Sequence, residues 1–172
     1  MPNIWILRIG HRPQRDKRVT THVALSSRAL GASGIFVDTK DSVLETNIGS
    51  VADRFGGDFK IETGVQWKRI LRDFDGEVVH LTMYGQRIDE AMPKISKEKD
   101  LLIVVGAEKV PPEVYQAADH NISVGNQPHS EIAALAIFLY SFTDGKNLYS
   151  DRDGQMTVIP NERGKTVVEK HS

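Results

Sequence analysis

The stretch Leu101–Tyr140, LLIVVGAEKVPPEVYQAADHNISVGNQPHSEIAALAIFLY, decides the fold. Five apolar residues, Leu101 to Val105, read as a strand buried on both faces, and Gly106 turns the chain at once. The pattern then repeats, with Ile122 and Val124 before Gly125, a polar loop, and a helix beginning near Ser130. Residues 106–119 between the two runs are enough for a crossover that sets the strands parallel, so both glycine loops leave the same edge of one sheet. Open α/β sheets bind ligands at that edge.

What sits there is narrowed by what these loops are not. Neither GxGxxG nor GxxxxGK[ST] follows a strand, so a dinucleotide fingerprint and a phosphate-cradling loop of those types are excluded. Two readings stay open: ordinary tight turns, or a main-chain surface suited to a purine and a small zwitterion.

Working outward, Asn3 to Ile9 alternates like a first strand and breaks into a basic loop, HRPQRDKR at 11–18. Thr20 or Thr21 caps a helix to about Leu30, and Ile35 to Val37 make a second strand. Ser42 to Phe55 has helical spacing, Phe59 to Glu62 reads as a short strand, and Val65, Trp67, Ile70, Leu71 and Phe74 mark another helix. A strand at Val78 to Thr82 opens a third glycine loop, LTMYG, before a short helix that ends near Pro93. Strands alternating with helices predict an α/β fold, a mostly parallel sheet with helices on both faces. MTVIP and KTVVE flank NERG as a β-hairpin, which must dock on something because an isolated hairpin is marginal. Glu131 to Tyr140 is apolar almost all round, which predicts burial on every side, inside the domain or at a subunit interface.

The 172 residues and 40% hydrophobic content suit one domain, expected over 1–145, with a hairpin extension at 146–172. With no apolar run of about 20 residues and no signal-peptide core, the expected location is the cytoplasm, away from membranes. Absence of cysteine excludes disulfides and thiol chemistry, and the six histidines form no HxxxH or HExxH pair, so no metal is expected. Net charge is −1, yet Arg8, Arg12, Arg15, Lys17, Arg18 and Arg28 crowd one segment against Asp16 alone. That cluster reads either as the footprint of a phosphate-rich partner or as a solvated loop with surface ion pairs.

The segments HVALSSRALGASG, LTMYG and Leu101 to Leu139 resemble the three motifs of the SPOUT superfamily of RNA methyltransferases. LRIGHRPQRDKRVTTHVALSSRALGASGI and VVGAEKVPPEVYQAADHNISVGNQPHSEIAALA are more specifically similar to the archaeal tRNA (cytidine 56) 2′-O-methyltransferase family. The resemblance implies a C-terminal trefoil knot, which periodicity cannot show, and a homodimer through the last helix of the knot. It also implies S-adenosyl-L-methionine as methyl donor and the 2′-hydroxyl of cytidine 56 in the T-loop of tRNA as acceptor.

Carried onto this chain, the resemblance puts the cofactor at Leu81 and Thr82, at Gly106, Ala107, Glu108, Lys109 and Val110, and at Val124, Gly125, Asn126, Gln127, Pro128, His129, Ser130, Glu131 and Ile132. Arg28, six residues after His22, takes the place of the family's catalytic arginine, while His22 departs from the asparagine that opens the motif. A guanidinium stays protonated, so Arg28 is expected to steady the developing alkoxide or grip an adjacent phosphate rather than to act as base, with proton removal shared by the phosphate, water or His22. Arg12, Arg15, Lys17 and Arg18 are expected on the RNA. His129 reads as a cap-region residue or a catalyst, Glu108 as an acceptor for the cofactor amine or turn decoration, and Tyr84 and Trp67 as base-stacking or, for Trp67, core residues. The alternatives are a non-catalytic RNA-binding module and a SPOUT methyltransferase acting at another tRNA or rRNA position.

Overall fold

The computed structural model describes residues 2–107 and 109–170. Six strands, β1 (Ile4–Ile9), β2 (Gly34–Val37), β3 (Lys60–Thr63), β4 (Glu77–Arg87), β5 (Leu101–Gly106) and β6 (His120–Ser123), form one sheet in the order β3-β2-β1-β5-β4-β6. Every pairing in it is parallel. Strand alternation sorts the side chains onto two faces. Ile4 and Ile6, Ile35 and Val37, and Leu101, Ile103 and Val105 pack on one side with α1 (Lys17–Ala29), α2 (Ser42–Phe55) and α6 (Glu131–Thr143). Leu7, Ile9, Leu102 and Val104 pack on the other with α3 (Trp67–Asp73) and α5 (Pro112–Ala117). Trp67 joins that second core. The sheet is therefore covered on both faces, as the alternation of elements predicts.

β4 runs further than its apolar residues suggest, because its register jumps between Leu81 and Gln86, both of which pair with Ile122 of β6. The residues between are extruded as a loop. Gly85 lets this loop close, since a Cβ there would lie 2.5 Å from the backbone of Asn121 and Ile122. After α4 (Ile88–Ala91) and one 3-10 turn (Met92–Lys94), the chain re-enters the middle of the sheet as β5. β7 (Met156–Ile159) and β8 (Thr166–Glu169) form the antiparallel hairpin.

Two local expectations are corrected. Helix α1 begins at Lys17, because the Thr20 hydroxyl is fully buried against His11 instead of capping. Strand β6 ends at Ser123, which leaves Val124 in the loop. Within one chain helix α6 sends Leu135, Phe138, Leu139 and Phe142 into the core, each worth about 1.5–3 kcal/mol of burial for a fully covered side chain, and leaves Ala133, Ile137 and Tyr140 exposed. Ser130 starts that helix by accepting from the Ile132 N–H at 3.2 Å. Among the described residues no helix is long and apolar enough to cross a membrane.

Candidate active site

At the carboxyl ends of β1, β4, β5 and β6 lies a cavity of about 490 Å³. Leu81, Val110, Tyr115, Val124 and Pro128 give it one apolar and aromatic side; Arg8, Arg12, Asp16 and Glu131 give it a charged end. Thr82, Gly106, Ala107 and His129 complete the part of the wall expected from the sequence. The structure thus brings together residues from all three glycine loops. Lys109, Gly125, Asn126, Gln127, Ser130 and Ile132 flank the cavity without lining it, and Glu108 lies outside the described residues. Asn126 acts on the wall indirectly, donating from Nδ2 to the Met83 carbonyl at 2.7 Å.

Two buried polar residues make the wall that sequence reasoning missed. Arg8 is 1% exposed, donates to the Gly106 carbonyl at 3.0 Å, and meets Glu131 Oε1 at 3.1 Å. Behind it, Arg8 Nε donates to Thr20 at 3.4 Å, Thr20 contacts His11 Nδ1 at 2.7 Å, and His11 Nε2 contacts Asp41 at 2.9 Å. A carboxylate needs a donor, so Nε2–H faces Asp41, and the Thr20 hydroxyl holds the other ring nitrogen. Burial pushes the Asp41 carboxyl up, but hydrogen bonds from His11 and the Leu44 N–H outweigh it and leave its pKa lowered. Loop 10–16 is tied to the same scaffold: Asp38 accepts from the N–H groups of Gly10 and His11.

The second missed residue is His80, 1% exposed, whose Nδ1–H donates to Asn121 Oδ1 at 2.9 Å and whose ring meets Tyr115 edge-on. Burial lowers its pKa, which keeps it neutral. Tyr115 in turn contacts Thr82 Oγ1 at 2.9 Å, so α5 and the β4 loop are fastened together under the cavity.

Arg28 and His22 stand apart from the three loops within one chain. Helix α1 runs back along the sheet, so its last turn lies at the edge where strands begin, opposite the cavity. Arg28 is 8% exposed there and lines a second cavity of about 220 Å³ with Gly56, Gly57, Asn147 and Arg152, donating to the Gly56 carbonyl. Burial and the neighbouring Arg152 charge lower its pKa. His22 is exposed on the outer face of α1. Within one chain neither faces the three loops. Arg12 lies at the cavity rim with its guanidinium on Asp16, which that hydrogen bond holds below the usual carboxylate range, while Arg15, Lys17 and Arg18 are exposed beside it.

Solved structures that match this fold include RNA methyltransferases. The SpoU methyltransferase AviRb of Streptomyces viridochromogenes, solved with AdoMet, matches with a TM-score of 0.57 and 15% identity over 83% of this chain and 57% of its own. The TrmH/SpoU tRNA-modifying enzyme of A. aeolicus matches with a TM-score of 0.56 and 16% identity over 88% and 79%. The fold is that of the SPOUT methyltransferases. Residues 55–168 match the family described as tRNA ribose 2′-O-methyltransferase, aTrm56, and the chain belongs to that family. The tRNA (cytidine(56)-2′-O)-methyltransferase of Archaeoglobus fulgidus is 53% identical over 96% of this chain and 98% of its own length. That of Methanocaldococcus jannaschii is 51% identical over 96% of each. The Picrophilus torridus relative is 54% identical over 95% of this chain, which spans only 48% of it.

Proposed function

We propose that the chain transfers the methyl group of S-adenosyl-L-methionine to the 2′-hydroxyl of cytidine 56 in the T-loop of tRNA, in the cytoplasm. The observation that carries this is the single cavity built from three loops and rimmed by Arg12, with Arg15, Lys17 and Arg18 beside it, in a chain about half identical to enzymes of that name.

The residues present fit the methyl donor. Leu81, Val110, Val124 and Tyr115 offer an apolar and aromatic wall for a purine, and the charged end suits a zwitterion. When bound, the donor supplies an electrophilic methyl on a sulfonium; the protein's own task is alignment and proton removal. His80, Asn121, Tyr115 and Thr82 hold the β4 loop rigid against the wall. Arg15, Lys17 and Arg18 hold the RNA backbone over the opening, and Arg12, already fixed on Asp16, sets the rim.

The same reading includes a homodimer. Ile137 and Tyr140 on α6 are 49% and 54% exposed, an apolar stripe beside α1 that a second copy would cover. It also includes the division at residue 145 and the trefoil crossing. Arg28 and His22 enter this scheme as groups presented to a second copy's bound RNA, because their own cavity lies at the other edge. The test is transfer of a labelled methyl from S-adenosyl-L-methionine to unmodified tRNA, followed by mapping of the modified nucleotide. Label in the ribose of cytidine 56 is the expected result; label elsewhere, or none, ends the reading.

A further inference from the structure

We infer that Glu131 receives the ammonium group of the amino-acid end of S-adenosyl-L-methionine, with Arg8 as the positioning residue that aims it; this rests on the methyl-donor reading above. The charged side chains of the lining, Arg8, Arg12, Asp16 and Glu131, gather toward β1 and the start of α6, and a charged tail suits that part of the cavity. Leu81, Val110, Val124 and Pro128 offer a primary ammonium, with its three N–H donors, no acceptor side chain, and the Thr82 and Tyr115 hydroxyls beside them are bonded to each other at 2.9 Å.

Among the described residues, two carboxylates face the cavity, Asp16 and Glu131. Asp16 already has both oxygens engaged by Arg12. Its Oδ2 accepts from Arg12 N at 3.0 Å and Arg12 Nε at 2.9 Å, and its Oδ1 accepts from Arg12 Nη2 at 3.3 Å. Glu131 is held through one oxygen, Oε1, by Arg8, and its side chain is 34% exposed into the opening. Its second oxygen is left for another donor.

Arg8 makes that oxygen's position definite. The guanidinium is locked by the Gly106 carbonyl on one side and by Thr20 on the other, and Thr20 is fixed through His11 to Asp41. A buried guanidinium tied at two points besides Glu131 cannot follow a wandering carboxylate, so the carboxylate must come to it. The partner cation also balances the charge that Glu131 would otherwise leave in the wall of an empty site.

The test measures binding, without RNA, of three ligands to the full chain by titration calorimetry: S-adenosylmethionine, S-adenosylhomocysteine, and 5′-methylthioadenosine, which lacks the amino-acid tail. Glu131→Gln should weaken the first two on the order of tenfold, the scale of one charge-assisted hydrogen bond, and leave methylthioadenosine unchanged. Arg8→Lys should show the same ligand pattern, and unchanged methylthioadenosine binding certifies that either variant is folded around its purine site. Loss confined to S-adenosylmethionine would place Glu131 at the sulfonium and overturn the assignment. Equal loss for all three ligands, or no loss, would overturn it as well. If the parent chain binds none of the three, the methyl-donor reading itself falls, a distinct result.

Discussion

Arg152 donates through both terminal nitrogens to the main-chain carbonyls of Arg28 and Ala29, so a side chain from beyond the last sheet helix caps the end of the first. The tie is reinforced by backbone contacts: Gly57 N–H donates to the Arg152 carbonyl at 3.0 Å, and Gly56 bridges Asp153. The segment that follows α6 is thereby fastened to the ends of α1 and α2. Arg152→Ala leaves two helix-terminal carbonyls short of their donor and should cost about 1–3 kcal/mol. Urea unfolding of the variant against the parent checks this; an unchanged midpoint would show the clasp to be idle.

Acid should weaken the fold before any carboxylate titrates. His80 has a pKa lowered from 6.5 by burial, so the unfolded chain binds a proton there that the folded chain refuses. Its contribution is full above about pH 6.5 and is lost as pH falls through the lowered native value. His80→Gln should flatten the stability profile across that window, measured as urea midpoints at successive pH values. A parallel profile would assign the loss to other groups.

The exposed cations of the basic loop should act through phosphates. Replacing Arg15 and Arg18 together should weaken tRNA binding and reduce the slope of log K against log salt by about 0.7–0.9 per contact removed. Affinity for S-adenosylmethionine should not move. Identical salt slopes for parent and variant would take the loop off the RNA.

The stripe on α6 gives the fourth expectation. Ile137→Glu should shift the particle in light scattering from a dimer toward the 19.2 kDa chain. Tyr140→Asp should act in the same direction. A parent that already scatters as a monomer would remove the dimer from the proposed scheme.

Much of the fold was legible in the sequence because its signals are local. The run Leu101 to Val105 is apolar throughout because β5 sits mid-sheet with both faces covered, and the hairpin and α2 keep the boundaries their turns announce. Strand order was not legible, since nothing local places β5 between β1 and β4. Within the site, the loop residues were found through their glycines. Arg8 was hidden in a basic run that looks like surface; the signal that would have found it is period two, because Ile4, Ile6 and Arg8 share a face of β1. His80, between Val79 and Leu81, is buried in the same manner. The position of Arg28 relative to the loops was not legible, because a motif match gives spacing along a helix, not the edge of the sheet at which that helix ends.

The loop between Leu81 and Gln86 is moored at both ends to one residue, Ile122, and stayed by Tyr115 and Asn126. A segment so restrained has little freedom to surrender when a guest settles on Thr82, Met83 and Tyr84. Most of the entropic toll of ordering that wall has been met during folding, and more of each contact is left to show as affinity.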